Sequence, residues 1–184
     1  MSSVDKIKKL LSKLVFNSKL YHYLLNKKVF FTYIETLSLF MKKKIVIFIS
    51  GTGSNAINII NYFSETENLT VSHVYSNNKT SPFFDHKLNS NIKVSYFQND
   101  DLNAKVFEEL QHIKPDLIVL AGFLKKIPIS YLDYFKKMII NIHPSLLPKY
   151  GGKGMYGSRI HDKVIENNET ETGITIHYVS EQYD

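Results

Sequence analysis

The sequence predicts an α/β protein in which helices flank a mainly parallel sheet. Short, mainly apolar runs at residues 44–50 and 116–123 are typical of strands that are buried on both faces. Segments with apolar residues at helical spacing lie between strands along the chain. Strands that alternate with helices form parallel sheets with right-handed crossovers. The expected architecture is therefore Rossmann-like.

Six strands and four helices are expected. The strands are predicted at residues 44–50, 69–77, 93–97, 116–123, 137–141 and 173–180. The helices are predicted at residues 56–63, 102–113, 128–134 and 158–167. The last strand alternates polar and apolar residues clearly, which supports its assignment.

The helix boundaries follow from a few residues that start or stop helices. The apolar residues at positions 56, 57, 60 and 63 recur at helical spacing directly after the first strand. Asp100 and Asp101 are expected to cap the second helix, which ends before Pro115. Pro128 is expected to start the third helix, because proline is tolerated in the first helical turn.

Most of the net charge lies in an N-terminal arm, residues 1–40. Residues 1–41 contain seven Lys and two acidic residues, so they carry +5 of the total of +6. A helical extension is expected here, with a basic helix lying on a membrane as one alternative. Another is that the arm is foreign to the natural protein, since Met41 opens directly onto the first strand. Residues 41–184 form the predicted catalytic domain.

Composition excludes several classes of protein. The chain is 43% hydrophobic and 22% charged, which is typical of a globular protein. It has no Cys, which excludes disulfides and thiolate metal sites and fits a reducing, cytoplasmic location. Its seven His have no acidic cluster at ligand spacing, so no metal site is expected. No basic stripe on the domain indicates nucleic acid, and no run is long enough to span a membrane.

The segment NIHPSLLPKYGG, residues 141–152, places two polar side chains at the end of the fifth strand. Asn141 and His143 lie two residues apart, so in a strand they point to the same side. Pro144 prevents a helix and favours an extended His143, which would hold the imidazole still. The plain alternative is a strand end with a hydrogen-bonded polar pair and a proline-rich turn.

The segment SGTGSN, residues 50–55, connects the first strand to the first helix. Its glycines let the backbone approach an anion at the helix N-terminus, where Ser54 and Asn55 can cap the helix or bind phosphate. The second strand ends without the acid that a dinucleotide ribose requires, and no P-loop Lys follows. A phosphomonoester site is therefore preferred, with a capped turn that binds nothing as the alternative.

These two segments, together with PDLIVLAGFLKKI and GITIHYVSEQYD, resemble the phosphoribosylglycinamide formyltransferase family from Lys44 to Asp184. NIHPSLLP is shared across formyl-tetrahydrofolate enzymes, and SGTGSN narrows the resemblance to the glycinamide ribonucleotide branch. The resemblance implies formyl transfer from 10-formyltetrahydrofolate to the amine of glycinamide ribonucleotide in de novo purine biosynthesis. It also implies small-molecule partners and no metal.

The same resemblance implies three sets of site residues. The catalytic residues are Asn141, His143 and Asp184, and the substrate phosphate lies on Gly53, Ser54 and Asn55. The folate site consists of Leu124, Lys125, Lys126, Ile127, Asn141, Ser180, Glu181, Gln182, Tyr183 and Asp184.

The chemistry of formyl transfer suits the implied catalytic residues. An amine attacks the formyl carbon, and donors aimed at the resulting negatively charged oxygen lower the barrier. Asn141 is a neutral donor, and a protonated His143 is a charged donor and a proton source for the leaving nitrogen. Asp184 would favour the imidazolium by its opposite charge. No Ser or Cys nucleophile is needed.

Other interpretations stay open, and the sequence departs from the pattern of the family at several points. A related enzyme could use a nucleotide sugar or aminoacyl-tRNA as acceptor or release formate, and a truncated chain could bind without turnover. Members of the family continue past the Asp into another strand and helix, so this chain is expected to lack both. Lys125 and Lys126 could meet the glutamate tail of folate. His177 is interpreted as structural, and a role for His161 is left open.

Overall fold

A computed structural model describes residues 42–152 and 154–182, and these residues contain one six-stranded sheet. The strands are β1 Lys43–Ile49, β2 Leu69–Ser76, β3 Lys93–Tyr96, β4 Leu117–Leu120, β5 Ile139–His143 and β6 Thr175–Tyr178. They lie in the order β3-β2-β1-β4-β5-β6. The first five are parallel and β6 is antiparallel to β5, which confirms the predicted, mainly parallel sheet.

In the described part of the chain, four α-helices connect the strands, as predicted. They are α1 Ser54–Phe63, α2 Lys105–Ile113, α3 Ile129–Phe135 and α4 Ser158–Glu166. Short 3-10 helices occur at Pro82–Asp85, Asn99–Asn103 and Lys136–Met138. Within the described residues, none of the helices combines the length and apolar character needed to cross a membrane. The predictions for residues 1–40, Tyr183 and Asp184 lie outside the described residues.

The core lies on both faces of the sheet, which explains the apolar run at residues 45–49 of β1. Val46 and Phe48 of β1 pack with Leu110 of α2 and Tyr131 of α3 on one face. The alternate residues of β1 pack with Ile60 of α1 on the other face. Successive strand residues point to opposite faces, so a strand covered on both sides must be apolar at every position.

Several predicted boundaries are wrong: β4 and β6 are shorter than predicted, and β5 and α2 begin later in the chain than predicted. Residues 136–138 form a 3-10 helix, so β5 begins at Ile139 and extends to His143. Asn141 and His143 therefore lie inside the strand. The residues before α2 also form a 3-10 helix, and the Asp101 carboxylate caps that turn by accepting from the Gln98 amide at 3.0 Å.

Candidate active site

A cleft of about 440 Å³ lies between the loop after β4, the strand β5 and the segment after β6. Apolar side chains form part of its lining, namely Leu120, Phe123, Leu124, Ile127 and Val179. Its polar lining includes Lys125, Lys126, Asn141, His143, Ser180 and Gln182. Its volume lies within the range of small-molecule sites, which are largely apolar with a few polar groups. The structure thus brings Asn141 and His143 together with most of the predicted folate residues.

Several predicted residues lie elsewhere, and several lining residues were not predicted. Glu181 is exposed and does not line the cleft, and Tyr183 and Asp184 lie outside the described residues. The predicted phosphate residues 53–55 form a separate loop. A glycine-rich segment that includes Met155 and Tyr156 closes one side of the cleft and was missed by the sequence reasoning. His161 is exposed on α4 and is not part of the lining.

Asn141 is paired across the sheet with a histidine. Asn141 and His177 are directly opposite in the antiparallel β5–β6 ladder. Their side chains meet at 3.2 Å, between Asn141 Nδ2 and His177 Nε2. The sequence predicted the strand that carries His177, but its register against β5 depends on tertiary pairing that no local pattern reveals.

His143 is buried, with only 2% of its surface exposed, and its ring is held by the backbone. The Tyr150 carbonyl accepts a hydrogen bond from Nε2 at 2.9 Å. A carbonyl can only accept, so Nε2 carries a hydrogen. The Nε2–H group is thus committed to the backbone.

The carbonyl that holds His143 belongs to a segment fixed by Glu169. The Tyr150 hydroxyl donates to Glu169 Oε1 at 2.9 Å, and Lys149 Nζ lies 2.9 Å from Oε2 of the same carboxylate. The hydrogen bonds from Lys149 and Tyr150 lower the pKa of the Glu169 carboxyl. Glu169 therefore stays ionised at neutral pH and keeps the Tyr150 backbone in place.

A threonine in β6 fixes the start of the loop after β5. The Thr175 hydroxyl donates to the Ser145 carbonyl at 2.7 Å and accepts from the Leu147 amide at 3.0 Å. Thr175 is the register partner of His143. Strand β6 thus contacts the site at two points. His177 bonds a side chain of β5, and Thr175 holds the start of the loop after β5.

The glycine loop begins α1 in an unusual way. Gly53 is the N-cap residue, with φ at 74° and no side-chain hydrogen bond to the cap. The prediction that Ser54 or Asn55 caps the helix is therefore wrong, because both lie in its first turn. Their side chains are exposed, and the N-terminal amides of the helix form a region of positive potential beside them.

Two serines hold this loop in place. The Ser81 hydroxyl donates to the Gly51 carbonyl at 2.6 Å. The Ser50 amide donates to the Gly122 carbonyl at 3.1 Å, and the Ser50 hydroxyl accepts from the Leu124 amide at 2.9 Å. The glycine loop is thus tied to the loop that lines the cleft. Both follow the carboxyl ends of β1 and β4, where the strand order reverses and ligands bind in open α/β sheets.

Replacing Gly53 by alanine is expected to destabilise the chain by about 2 to 4 kcal/mol. A Cβ at Gly53 would lie 2.5 Å from Phe83 Cδ2, and the φ of 74° is unfavourable for any residue with a Cβ. Thermal unfolding measures the effect. Gly51→Ala is the matched control, because a Cβ there meets nothing within 4 Å. Equal unfolding temperatures for the two variants would contradict this account of the loop.

Metal ligands were not expected, and none are grouped in the described part of the chain. No set of three or more His, Cys, Asp or Glu residues in it could hold a metal ion.

Comparison with known proteins identifies the family of the chain. The model of the formyl transferase family matches residues 43–184, which include both loops and the whole sheet. The chain belongs to the formyl transferase family. The resemblance inferred from the two loop segments and the strands between them is thereby confirmed.

Individual relatives agree with the family assignment. The phosphoribosylglycinamide formyltransferase of Haemophilus influenzae is 33% identical over 149 residues, covering 77% of this chain and 68% of that protein. The chloroplastic enzyme of the same name from Arabidopsis thaliana is 36% identical over 151 residues, covering 78% of this chain. The chain spans about half, 52%, of that relative's length.

A solved structure confirms the fold of this formyl transferase. The crystal structure of phosphoribosylglycinamide formyltransferase from Anaplasma phagocytophilum superposes with a TM-score of 0.67 at 28% identity. The match covers 78% of this chain and 68% of that chain.

Proposed function

We propose that this chain transfers a formyl group from 10-formyltetrahydrofolate to the amine of glycinamide ribonucleotide, in purine biosynthesis. The observation that carries the proposal is the cleft that joins Asn141 and His143 to the loop after β4, which Ser50 ties to the glycine loop. Relatives with matching sequence are named phosphoribosylglycinamide formyltransferase. One cleft with a donor amide and an imidazole, next to an anion-binding loop, suits a reaction between two such substrates.

The cleft fits the formyl-folate in shape and polarity. Its apolar wall, which includes Leu120, Phe123 and Val179, suits the flat face of a pterin ring. Its exposed edge carries Lys125 and Lys126, which are placed to meet the negatively charged glutamate tail. Formyl-folate supplies the activated one-carbon group.

Asn141 and His143 perform the polar steps in this proposal. The acceptor amine forms a bond to the formyl carbon, and the bond from that carbon to the folate nitrogen breaks. The Asn141 amide donates a hydrogen bond to the formyl oxygen as negative charge develops there. His143 delivers a proton to the departing nitrogen, and the proton that the attacking amine loses returns to the imidazole, which restores the imidazolium for the next turnover. Asp184 is proposed to stabilise the imidazolium form of His143.

The phosphate of the acceptor is proposed to lie on Gly53, Ser54 and Asn55. Replacing both Ser54 and Asn55 by alanine should raise the KM for glycinamide ribonucleotide by about 10- to 100-fold, since hydrogen bonds to charged groups are strong. The KM for formyl-folate should stay nearly unchanged, because the folate lies in the cleft instead. Steady-state kinetics with each substrate varied in turn measures both constants.

Asn58→Ala is the matched control for the phosphate loop, because Asn58 is exposed one turn further along α1. It should leave both KM values as they are. Equal increases for the two substrates, or none for the phosphorylated acceptor, would contradict the assignment of the loop.

Two rival functions would use the same cleft but transfer the formyl group to a different acceptor. A hydrolase of the same family would release formate without any amine, and another transferase would accept a different amine. Removing the phosphate of glycinamide ribonucleotide distinguishes them, since only the proposed reaction depends on that group. An inactive binding module would bind glycinamide ribonucleotide tightly and transfer nothing.

In this proposal, residues 41–184 carry out the reaction and bind glycinamide ribonucleotide and formyl-folate. The arm, residues 1–40, takes no part in the reaction. The cytoplasm is the proposed compartment. The chloroplast named for the Arabidopsis relative is the alternative. Imaging of the full chain with a C-terminal fluorescent fusion would separate the two.

A further inference from the structure

A second cavity, of about 320 Å³, borders the loop after β5. Its lining consists of residues 145–150 of that loop, Val164 of α4 and residues 169–172. Among the described residues, none lines both this cavity and the cleft. Tyr150 and Glu169 belong to the second lining, so they lie apart from the residues that substrates in the cleft would contact.

Tyr150 has a backbone conformation that its side chain does not favour. Its φ is 58°, in the left-handed region, which is uncommon for a residue with a bulky side chain. Such a conformation costs free energy and persists only where the surrounding contacts hold it. In this conformation the Tyr150 carbonyl meets His143 Nε2 at 2.9 Å. The contacts that hold Tyr150 therefore also hold the imidazole.

The hydroxyl group of Tyr150 is held by two side chains that follow α4. A carboxylate can only accept, so the hydroxyl donates to Glu169 Oε1 at 2.9 Å. The hydroxyl oxygen accepts in turn from Asn167 Nδ2 at 2.9 Å. The Glu169 amide donates to the Val164 carbonyl at 3.1 Å, which anchors Glu169 to the end of α4. The carboxylate thus links Tyr150 to a helix.

Loss of the Glu169 carboxylate should loosen Tyr150 without releasing the whole loop. The Ser145 hydroxyl donates to the Lys149 carbonyl at 2.7 Å, and the Lys149 amide donates to the Leu146 carbonyl at 3.2 Å. Neither bond involves Glu169. The Lys149 side chain is 66% exposed, and exposed ion pairs contribute little to stability. The bond to the Tyr150 hydroxyl is therefore the contact through which Glu169 acts.

We propose that Glu169 is a positioning residue for formyl transfer, because its carboxylate holds Tyr150 in the conformation that places the Tyr150 carbonyl against His143. This role rests on the proposed formyl transfer and on proton transfer by His143. It assigns a task in the reaction to a carboxylate that lies outside the cleft.

Two replacements of Glu169 separate its hydrogen bond from its charge. Glu169→Ala removes the acceptor for the Tyr150 hydroxyl, while Glu169→Gln keeps an acceptor oxygen without the charge. In the alanine variant kcat should fall about 10- to 100-fold, since a small misplacement of a catalytic group is costly, while both KM values hold. The glutamine variant should recover most of kcat. Equal kcat values for the two variants would overturn the proposal.

Glu166→Ala is the matched control, because it removes another paired carboxylate at the end of α4. Glu166 Oε2 lies 2.6 Å from Lys163 Nζ, and both side chains are more than half exposed. This variant should keep the kcat of the unmodified chain, and a loss equal to that of Glu169→Ala would overturn the proposal.

A double variant tests whether Glu169 acts through Tyr150. Tyr150→Phe removes the hydroxyl but keeps the ring and the carbonyl, so its kcat should match that of Glu169→Ala. Combining the two replacements should cause no further loss, because both break the same bond. A further tenfold loss in the double variant would overturn the positioning role.

The proton on His143 Nε2 gives a readout that needs no turnover. This buried proton is held by the Tyr150 carbonyl, so its NMR signal, assigned with a His143→Ala variant, should exchange slowly with water. The signal should broaden or vanish in Glu169→Ala and persist in Glu169→Gln and Glu166→Ala. An unchanged signal in Glu169→Ala would overturn the proposal. An unmodified chain without any transfer would refute the proposed function, and this signal would still decide whether Glu169 holds His143.

Discussion

Replacing His143 by alanine is expected to lower kcat by about 10²- to 10⁴-fold, the usual contribution of a general acid. Both KM values should change little, because the proton is needed only in the transition state. His143 is the imidazole that the cleft contains, and its Nε2–H is committed to the Tyr150 carbonyl. Steady-state kinetics of formyl transfer measures the loss.

Two further variants distinguish the loss of a proton donor from a loss of folding. His143→Gln can keep an N–H for the Tyr150 carbonyl but cannot supply a proton, so it should be as slow as alanine and more stable. His112→Ala removes an exposed imidazole at the end of α2 and should be fully active. Recovery of activity in His143→Gln would contradict the proton-donor role. So would parallel losses in affinity and rate.

Replacing Asn141 by alanine is expected to lower kcat by about 10²- to 10³-fold, as when one oxyanion donor is removed from other enzymes. The amide is half-buried in β5, and its orientation is fixed by His177 at 3.2 Å. The loss should appear in kcat and in kcat/KM equally, since the hydrogen bond strengthens only as charge develops on the oxygen.

Asn141→Asp is the sharper comparison for the donor role. It keeps the shape of the side chain but replaces the donor by an acceptor with a negative charge. It should therefore be at least as slow as Asn141→Ala. An aspartate variant faster than the alanine variant would show that Asn141 contributes shape rather than a hydrogen bond, and the donor role would be wrong.

Most of the fold could be predicted because the buried strands can be recognised by their runs of apolar residues. Residues 45–49 are buried on both faces of the sheet, and such a strand must be apolar at every position. The start of β5 could not be predicted, since Met138 is as apolar as the strand residues that follow it. Residues 136–138 instead form a 3-10 turn directly after α3, before the strand begins.

The part of the candidate site that consists of side chains from one segment could be predicted. Asn141 and His143 could be paired from their spacing alone, because alternate strand residues share a face. The partners that hold them could not be predicted. Tyr150 acts through its carbonyl, which every residue has, and His177 acts through a register set by β5 and β6.

The most direct test of the account follows the formyl carbon itself. The full chain is given 10-formyltetrahydrofolate with an isotopic label on the formyl carbon, with and without glycinamide ribonucleotide, beside its His143→Ala variant. The account predicts that the label moves to the ribonucleotide amine, that little formate appears without the acceptor, and that the variant transfers far more slowly. Label released as formate at the same rate without acceptor would contradict it, as would a folded chain that binds both substrates and transfers nothing.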